Sequence, residues 1–213
     1  ASGKTLGFLL PVVQEILTAP TTRALFLYPT KALASDQFRA LGPLLECFGK
    51  SRLQAGVYDG DTPPAERGRI RGSANIILTN PEMLNAAFLP NHNSYGFNFL
   101  FANLKYIVID ELHSYRGAFG SHLANVMKRL GRICRYYGSS PRFLCSSATI
   151  ANPAELAEKI CGCPFSTIEM DGSPSPEKRY YLWQPPMAKK GDFRISPARE
   201  APGLIAKLAL GNT

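Results

Sequence analysis

Short apolar runs of strand length, each closed by a polar cluster and followed by a helix-like stretch, constrain this chain more than any other feature. The runs are ALFLY (24–28), a weaker LQAGVY (53–58), NIILT (75–79), YIVI (106–109), RFLC (142–145) and FSTIEM (165–170). Several are apolar at consecutive positions, which suits strands covered on both faces rather than on one. Between them, Thr5–Leu17, Lys31–Phe48 and Gly120–Tyr137 carry apolar residues at helical spacing. A break or kink is expected in the second of these at Gly42-Pro43, because proline lacks the N–H a helix interior needs. Asn152-Pro153-Ala154-Glu155 predicts a helix start, with Asn as N-cap, Pro at the first helical position and Glu closing a capping box. Strand–helix alternation of this kind predicts an α/β fold with a mainly parallel sheet flanked by helices.

With 213 residues, 45% hydrophobic and 19% charged, the chain can bury one full core and part of a second. Composition shifts after Met170. DGSPSPEKRYYLWQPPMAKKGDFRISP (171–197) reads as a linker with a possible strand at Arg179–Trp183, and Ala198–Leu210 is again helix-like. No apolar run approaches the roughly 18 residues of a membrane span. Phe8–Val13 ends in no small-residue cleavage site, so neither a span nor a leader is expected. The five cysteines are Cys47, Cys134, Cys145, Cys161 and Cys163. Only the last two are close in sequence, and the second pair a zinc site needs is lacking, so reduced thiols in a cytoplasmic protein are expected. The net charge of +8 is compatible with a nucleic-acid partner. From Ser121 to Arg142 the chain carries Lys128, Arg129, Arg132, Arg135 and Arg142 with no acid, which can equally be a solvated helix face.

In an open parallel sheet, ligands bind outside the carboxyl ends of the strands. Here those ends are Pro29-Thr30-Lys31, Asp59–Thr62, Asn80-Pro81-Glu82, Asp110–His113 and Ser146–Thr149. A sheet built only for stability has no need of polar groups at every one. YIVIDELH is the most informative, an apolar strand that ends in adjacent carboxylates. The chain also opens on ASGKT, the second half of the phosphate loop G-x-x-x-x-G-K-[ST], at the head of a helix. In a nucleotide hydrolase Lys4 binds the β- and γ-phosphates as a point charge and the Thr5 hydroxyl ligates Mg²⁺. Asp110 holds Mg²⁺ through water, and Glu111 orients the attacking water.

The ordered set resembles the first RecA-like motor domain of superfamily 2 DExH-box helicases. Gly3-Lys4-Thr5 matches the end of motif I, and Pro29–Leu33 matches motif Ia. Thr79–Leu84 matches the next nucleic-acid motif, Asp110–His113 motif II, and Ser147-Ala148-Thr149 motif III. YPTKALASDQ, DELHSYRGAFGSH and SSATIANP are similar to the subgroup of bacterial helicases related to the mitomycin-repair helicase, which often carry a C-terminal zinc-binding extension. DGSPSPEKRYYLWQPP is similar to the bridge between the two motor domains there.

The resemblance implies a RecA-like P-loop NTPase domain over residues 1–170, lacking its first strand and half the phosphate loop. Residues 171–213 are then a linker and the beginning of a second RecA-like domain. ATP and Mg²⁺ are the implied cofactors, with Gly3, Lys4 and Thr5 binding nucleotide, Thr5 and Asp110 on the metal, and Glu111, Asp110 and His113 catalytic. Thr30, Lys31, Thr79 and Asn80 are implied to hold the phosphate backbone of a single strand, the Asp59–Thr62 loop lying on the same edge. Ser147 and Thr149 are assigned to coupling, their hydroxyls bonding His113 or the motif II carboxylates. Tyr115 and Arg116 either touch nucleic acid or pack, and His92 and His122 read as structural or exposed. The implied partners are single-stranded or partly duplex DNA, ahead of RNA, and the second motor domain. That domain supplies the arginine finger, so the fragment alone is expected to be a poor ATPase and no translocase. Three other readings stand beside the DNA helicase: an RNA helicase, a non-catalytic nucleic-acid-binding module with helicase fold, and an unrelated P-loop ATPase.

Overall fold

A computed structural model describes residues 4–49, 51–148, 150–168, 180, 182–187 and 193–210. The chain divides into two compact units, Ala1–Asp171 and Gly172–Thr213. The first contains α1 (Lys4–Thr18), β1 (Arg23–Leu27), α2 (Lys31–Phe48), β2 (Ala55–Val57), α3 (Pro64–Ser73) and β3 (Ile76–Thr79). There follow α4 (Pro81–Met83), a π-turn at Leu84–Phe88, α5 (Phe97–Ala102), β4 (Leu104–Ile109), a 3₁₀ turn at Leu112–Ser114, α6 (Gly117–Tyr136), β5 (Arg142–Cys145) and α7 (Pro153–Cys161).

The five strands form one parallel sheet in the order β2-β3-β1-β4-β5. Leu25 stands opposite Ile77 on one side and Ile107 on the other. All five residues of β1 and all four of β3 are buried. That is why these strands read as unbroken apolar runs. Successive side chains still alternate between two cores. Ala24, Phe26, Ile76, Leu78 and Val108 pack under α1 and α2. Leu25, Leu27, Ile77, Ile107 and Ile109 pack under α5, α6 and α7. Each such Phe, Leu or Ile contributes about 1.5–3 kcal/mol relative to exposure. Phe8 of α1 meets Phe26 of β1 edge-on at 5.7 Å, seating the helix on its face of the sheet.

Four local expectations change. The second helix is continuous from Lys31 to Phe48 through Gly42-Pro43. Leu41 is buried there, and Leu44, Leu45 and Phe48 pack on the core, which outweighs one missing hydrogen bond. Asn152 does not cap α7 with its side chain. Its amide instead donates to Glu155 Oε2 at 2.6 Å, and Lys159 holds the same carboxylate. Residues 165–168 form no strand: Phe165 packs against the α6–α7 core while Ile168 is 96% exposed, and Glu169 and Met170 lie outside the described residues. In the second unit, Tyr180, Leu182 and Trp183 are irregular, Arg179 and Tyr181 lie outside the described residues, Met187 and Arg194 make an isolated antiparallel bridge, and α8 spans Pro197–Leu210.

Candidate functional site

All five strands run the same way, so their polar ends gather along one edge of the sheet. At β4 and β5 that edge carries a closed polar network. Asp110 is 6% exposed, and its Oδ1 accepts from the Glu111 N–H at 2.9 Å and from the Ser146 hydroxyl. Glu111 sits in the left-handed region, φ 51° and ψ 45°, the only non-glycine there among the described residues. Such a backbone costs about 1–2 kcal/mol for an L-residue and concentrates at functional sites. It turns the Glu111 carboxylate toward His113, whose Nε2 stands 3.2 Å from Oε2. His113 Nδ1 accepts from the Ala148 N–H at 3.1 Å. With Nδ1 accepting, the ring proton belongs on Nε2 and is donated to Glu111. The imidazole thus bridges a motif II carboxylate to the main chain of motif III.

The 3₁₀ turn and α6 hold this loop from behind. Leu112 N–H donates to Ser146 O at 2.8 Å, tying the turn to the end of β5. Tyr115 is fully buried and packs on Phe119 with ring centres 5.0 Å apart. Burial first, then the charges of Asp110 and Glu111, push the Tyr115 phenol above its usual range. Burial and Asp110 push Tyr28, at the end of β1, the same way. Gly120 makes the approach possible: a Cβ there would lie 2.5 Å from the Tyr115 carbonyl oxygen.

Lys4 reaches the same place from α1, its Nζ donating to Ser147 O at 2.5 Å. Thr5 is half-buried in the first turn of α1. Lys4, Thr5, Asp110, Glu111, His113 and Ser147 are therefore brought to one end of the sheet, whereas Gly3 and Thr149 lie outside the described residues.

The β1, β3 and β2 ends continue the edge. Thr30 caps α2, its hydroxyl accepting from Leu33 N–H at 3.2 Å, and Asn80 caps α4, accepting from Met83 N–H at 2.8 Å. Thr79 is fully buried, and its hydroxyl donates to Tyr58 O at 2.6 Å. Its side chain offers nothing to a surface ligand; it ties β3 to the start of the Asp59 loop. That loop is an Asx turn: Asp59 Oδ1 accepts from Asp61 N–H at 2.9 Å and Thr62 N–H at 3.0 Å. Lys31 pairs with Asp61 at 3.0 Å, both exposed, so the loop lies on the same edge. The hydrogen bond to Asp61 holds the Lys31 ammonium above the usual lysine range.

The chain matches the DEAD/DEAH box helicase family over residues 1–156. It belongs to that family. The helicase domain is 52% identical over 190 residues to the uncharacterized ATP-dependent helicase YprA of Bacillus subtilis, covering 89% of this chain and 25% of YprA. It is 40% identical to the ATP-dependent helicase hrq1 of Schizosaccharomyces pombe, over 98% of this chain and 20% of hrq1. The crystal structure of the DUF1998 helicase MrfA bound to DNA and AMPPNP superposes on the whole chain with a TM-score of 0.90 at 50% identity, covering 29% of that protein. The fold is thus the RecA-like α/β fold of helicase motors, as the motif order implies. This helicase domain spans about a quarter of the length of the relatives it matches.

Within the helicase domain, Ser147 does not reach motif II through its hydroxyl as the sequence implied, and Thr149 lies outside the described residues. Ser146 and the Ala148 N–H reach Asp110 and His113. Among the described residues the buried Ser147 hydroxyl has no partner, and Ser147 contributes its carbonyl to Lys4 instead. Ser146 was legible only as one more serine at a strand end. A parallel strand alternates its side chains, and that sets which of two adjacent serines faces β4. Cys145 was likewise missed as a neighbour of Cys161: the thiols meet where β5 abuts the end of α7, and Cys145 pushes Cys161 well above the usual thiol range. All five cysteines are free thiols. Among the described residues no cluster of three or more His, Cys, Asp or Glu forms a metal cage. No helix among them is long and apolar enough to cross a membrane.

Proposed function

We propose that this domain is the first motor domain of a longer cytoplasmic ATP-dependent DNA helicase or translocase of a repair pathway, with residues 171–213 leading into a second RecA-like domain. The observation that carries the reading is the chain Asp110–Ser146, Glu111–His113 and His113–Ala148, which joins the motif II carboxylates to motif III. It supports a site in which phosphate state and strand grip are coupled.

The residues fit a magnesium nucleotide. A carboxylate that is 6% exposed, with Oδ2 unpartnered among the described residues, calls for a cation. One carboxylate and one hydroxyl suit Mg²⁺, which keeps several waters and takes few protein ligands. Asp110 and Thr5 would hold the metal, and Gly3 and Lys4 the phosphates. The bound group supplies the phosphoanhydride to be split and charge to offset that developing on the phosphates. Glu111, held by His113, positions and polarises a water. Lys4 exchanges the Ser147 carbonyl for phosphate oxygens, so nucleotide arrival releases the β5 loop.

Along the other half of the edge, Lys31 and the caps of α2 and α4 at Thr30 and Asn80 offer charge, amides and N–H groups to a phosphate backbone without reading sequence. Thr79 positions that edge from within. DNA is favoured because the MrfA structure at 50% identity holds DNA.

The test is ATP hydrolysis by the parent protein with and without single-stranded DNA or RNA, beside Glu111→Gln. DNA-stimulated turnover that E111Q abolishes is the expected result. Stimulation by RNA alone moves the protein to RNA remodelling. Strand binding without turnover makes it a non-catalytic module.

A further inference from the structure

The longest acid-poor region of the chain lies away from the edge described above. From Met83 to Ala154 the only carboxylates are Asp110 and Glu111, against Lys105, Arg116, Lys128, Arg129, Arg132, Arg135 and Arg142. Four of these cations fall in the C-terminal half of α6, a helix with no acid at all. At 3.6 residues per turn, Arg135, Lys128, Arg132, Tyr136 and Arg129 follow one another around about a third of the helix circumference. Lys128, Arg132 and Arg135 are exposed, Arg129 is half-buried, and Tyr136 is 77% exposed. Among the described residues none of the four cations has a carboxylate partner.

Beside this stripe lies an open cavity of about 490 Å³, lined by His92, Arg129, Arg132, Ile133 and Tyr136. Its walls are fixed. Tyr137 Oη donates to the His92 carbonyl at 3.0 Å and stands 3.1 Å from His92 Nδ1. The Tyr136 and Tyr137 rings meet edge-on at 5.0 Å, and Arg129 donates to Asn85. Since α6 runs back from the β4 end to the start of β5, the cavity sits at the opposite end of the sheet from Asp110.

A solvated helix face needs neither an exposed aromatic ring held in place nor the absence of every counter-charge. We propose that the outer face of α6 and the His92 loop form a second, sequence-independent binding surface for single-stranded nucleic acid. Lys128, Arg132 and Arg135 take successive phosphates, and a base stacks on Tyr136 in the cavity framed by Arg129 and His92. The proposal rests on the reading that this domain works on nucleic acid. It adds a site far from the motif edge, suited to holding a strand that has left the motor or not yet entered it.

Binding of a short fluorescein-labelled oligothymidylate to this chain, read by anisotropy across a salt series, tests it. Arg132→Glu with Arg135→Glu should weaken binding at least tenfold. It should also make the log–log salt slope shallower by about 1.4 or more, at about 0.7 per lost phosphate contact on a single strand. Tyr136→Ala should weaken binding about fivefold or more with the slope unchanged, and Tyr136→Trp should restore it. All these side chains are exposed, so the melting temperature should not move. A wild-type chain that binds, α6 variants that bind equally well and a Lys31→Ala variant that does not would overturn the second site while leaving the motif edge standing. A wild-type chain that binds no oligonucleotide would overturn both. If the α6 variants lose binding to polyglutamate but keep the oligonucleotide, the surface is for an acidic protein and the proposal fails.

Discussion

Lys4 Nζ donates to the main-chain carbonyl of Ser147 at 2.5 Å, joining the first turn of α1 to the loop after β5 across 143 residues of sequence. One lysine therefore stands between the nucleotide phosphates it is proposed to bind and the loop that carries motif III. Replacing Lys4 by Ala should lower nucleotide affinity of the parent protein about tenfold to a hundredfold, the value of a hydrogen bond to a charged group. Arginine should not restore it, because a planar fork does not replace a point charge here. Fluorescent-nucleotide titration reads the effect. The melting temperature should stay put, because Lys4 is exposed.

Ser146→Ala removes the hydroxyl that donates to Asp110 Oδ1. Among the described residues the carboxylate then keeps only the Glu111 N–H on that oxygen, so its aim toward a metal loosens. Half-maximal hydrolysis should need about tenfold more Mg²⁺, from roughly 1.5 kcal/mol of charge-assisted hydrogen bond. Ser147→Ala removes a hydroxyl with no partner among the described residues and should leave the Mg²⁺ requirement unchanged. The reverse pattern would refute the placement of the two serines.

Much of this architecture was legible in the sequence. Strands buried on both faces leave consecutive apolar residues, and β1, β3 and β4 announce themselves that way. The strand-end clusters then follow from parallel topology. What stayed hidden depends on side-chain direction. Thr79 reads as a contact to a phosphate backbone and Ser147 as a partner of His113 or the motif II carboxylates, yet Thr79 is bonded inward and the Ser147 hydroxyl meets neither group among the described residues. Helix α2 defied its Gly-Pro pair because the packing of its far half lies in the tertiary fold, not in local propensity.

Gly120→Ala places a methyl group 2.5 Å from the Tyr115 carbonyl. Neither the main chain of the motif II loop nor the first turn of α6 can yield freely. Overpacking of this kind costs about 1–3 kcal/mol, and the melting temperature should fall by several degrees. Turnover should fall further than stability alone explains, since the displaced loop carries Glu111 and His113.

Alkaline pH should unfold the domain through Tyr28 and Tyr115. Both phenols are raised, first by burial and then by the Asp110 charge. A raised folded-state value means their contribution is fully present below the unfolded value of about 10 and is lost as pH rises beyond it. Absorbance of tyrosinate should lag behind the exposed tyrosines and appear together with loss of circular dichroism. Tyr115→Phe also removes a buried hydroxyl that has no partner among the described residues, so it should move the alkaline transition to higher pH without lowering the melting temperature.

In the proposed function His113 joins hydrolysis to strand binding, with Glu111 on one nitrogen and the Ala148 N–H on the other. The measurement is ATP turnover by the parent protein carrying His113→Ala, with and without single-stranded DNA. Basal turnover should persist within a few-fold, because Lys4, Asp110 and Glu111 remain, while stimulation by DNA should be lost. Stimulation at the wild-type ratio would contradict this coupling and leave His113 as a histidine that only braces its loop.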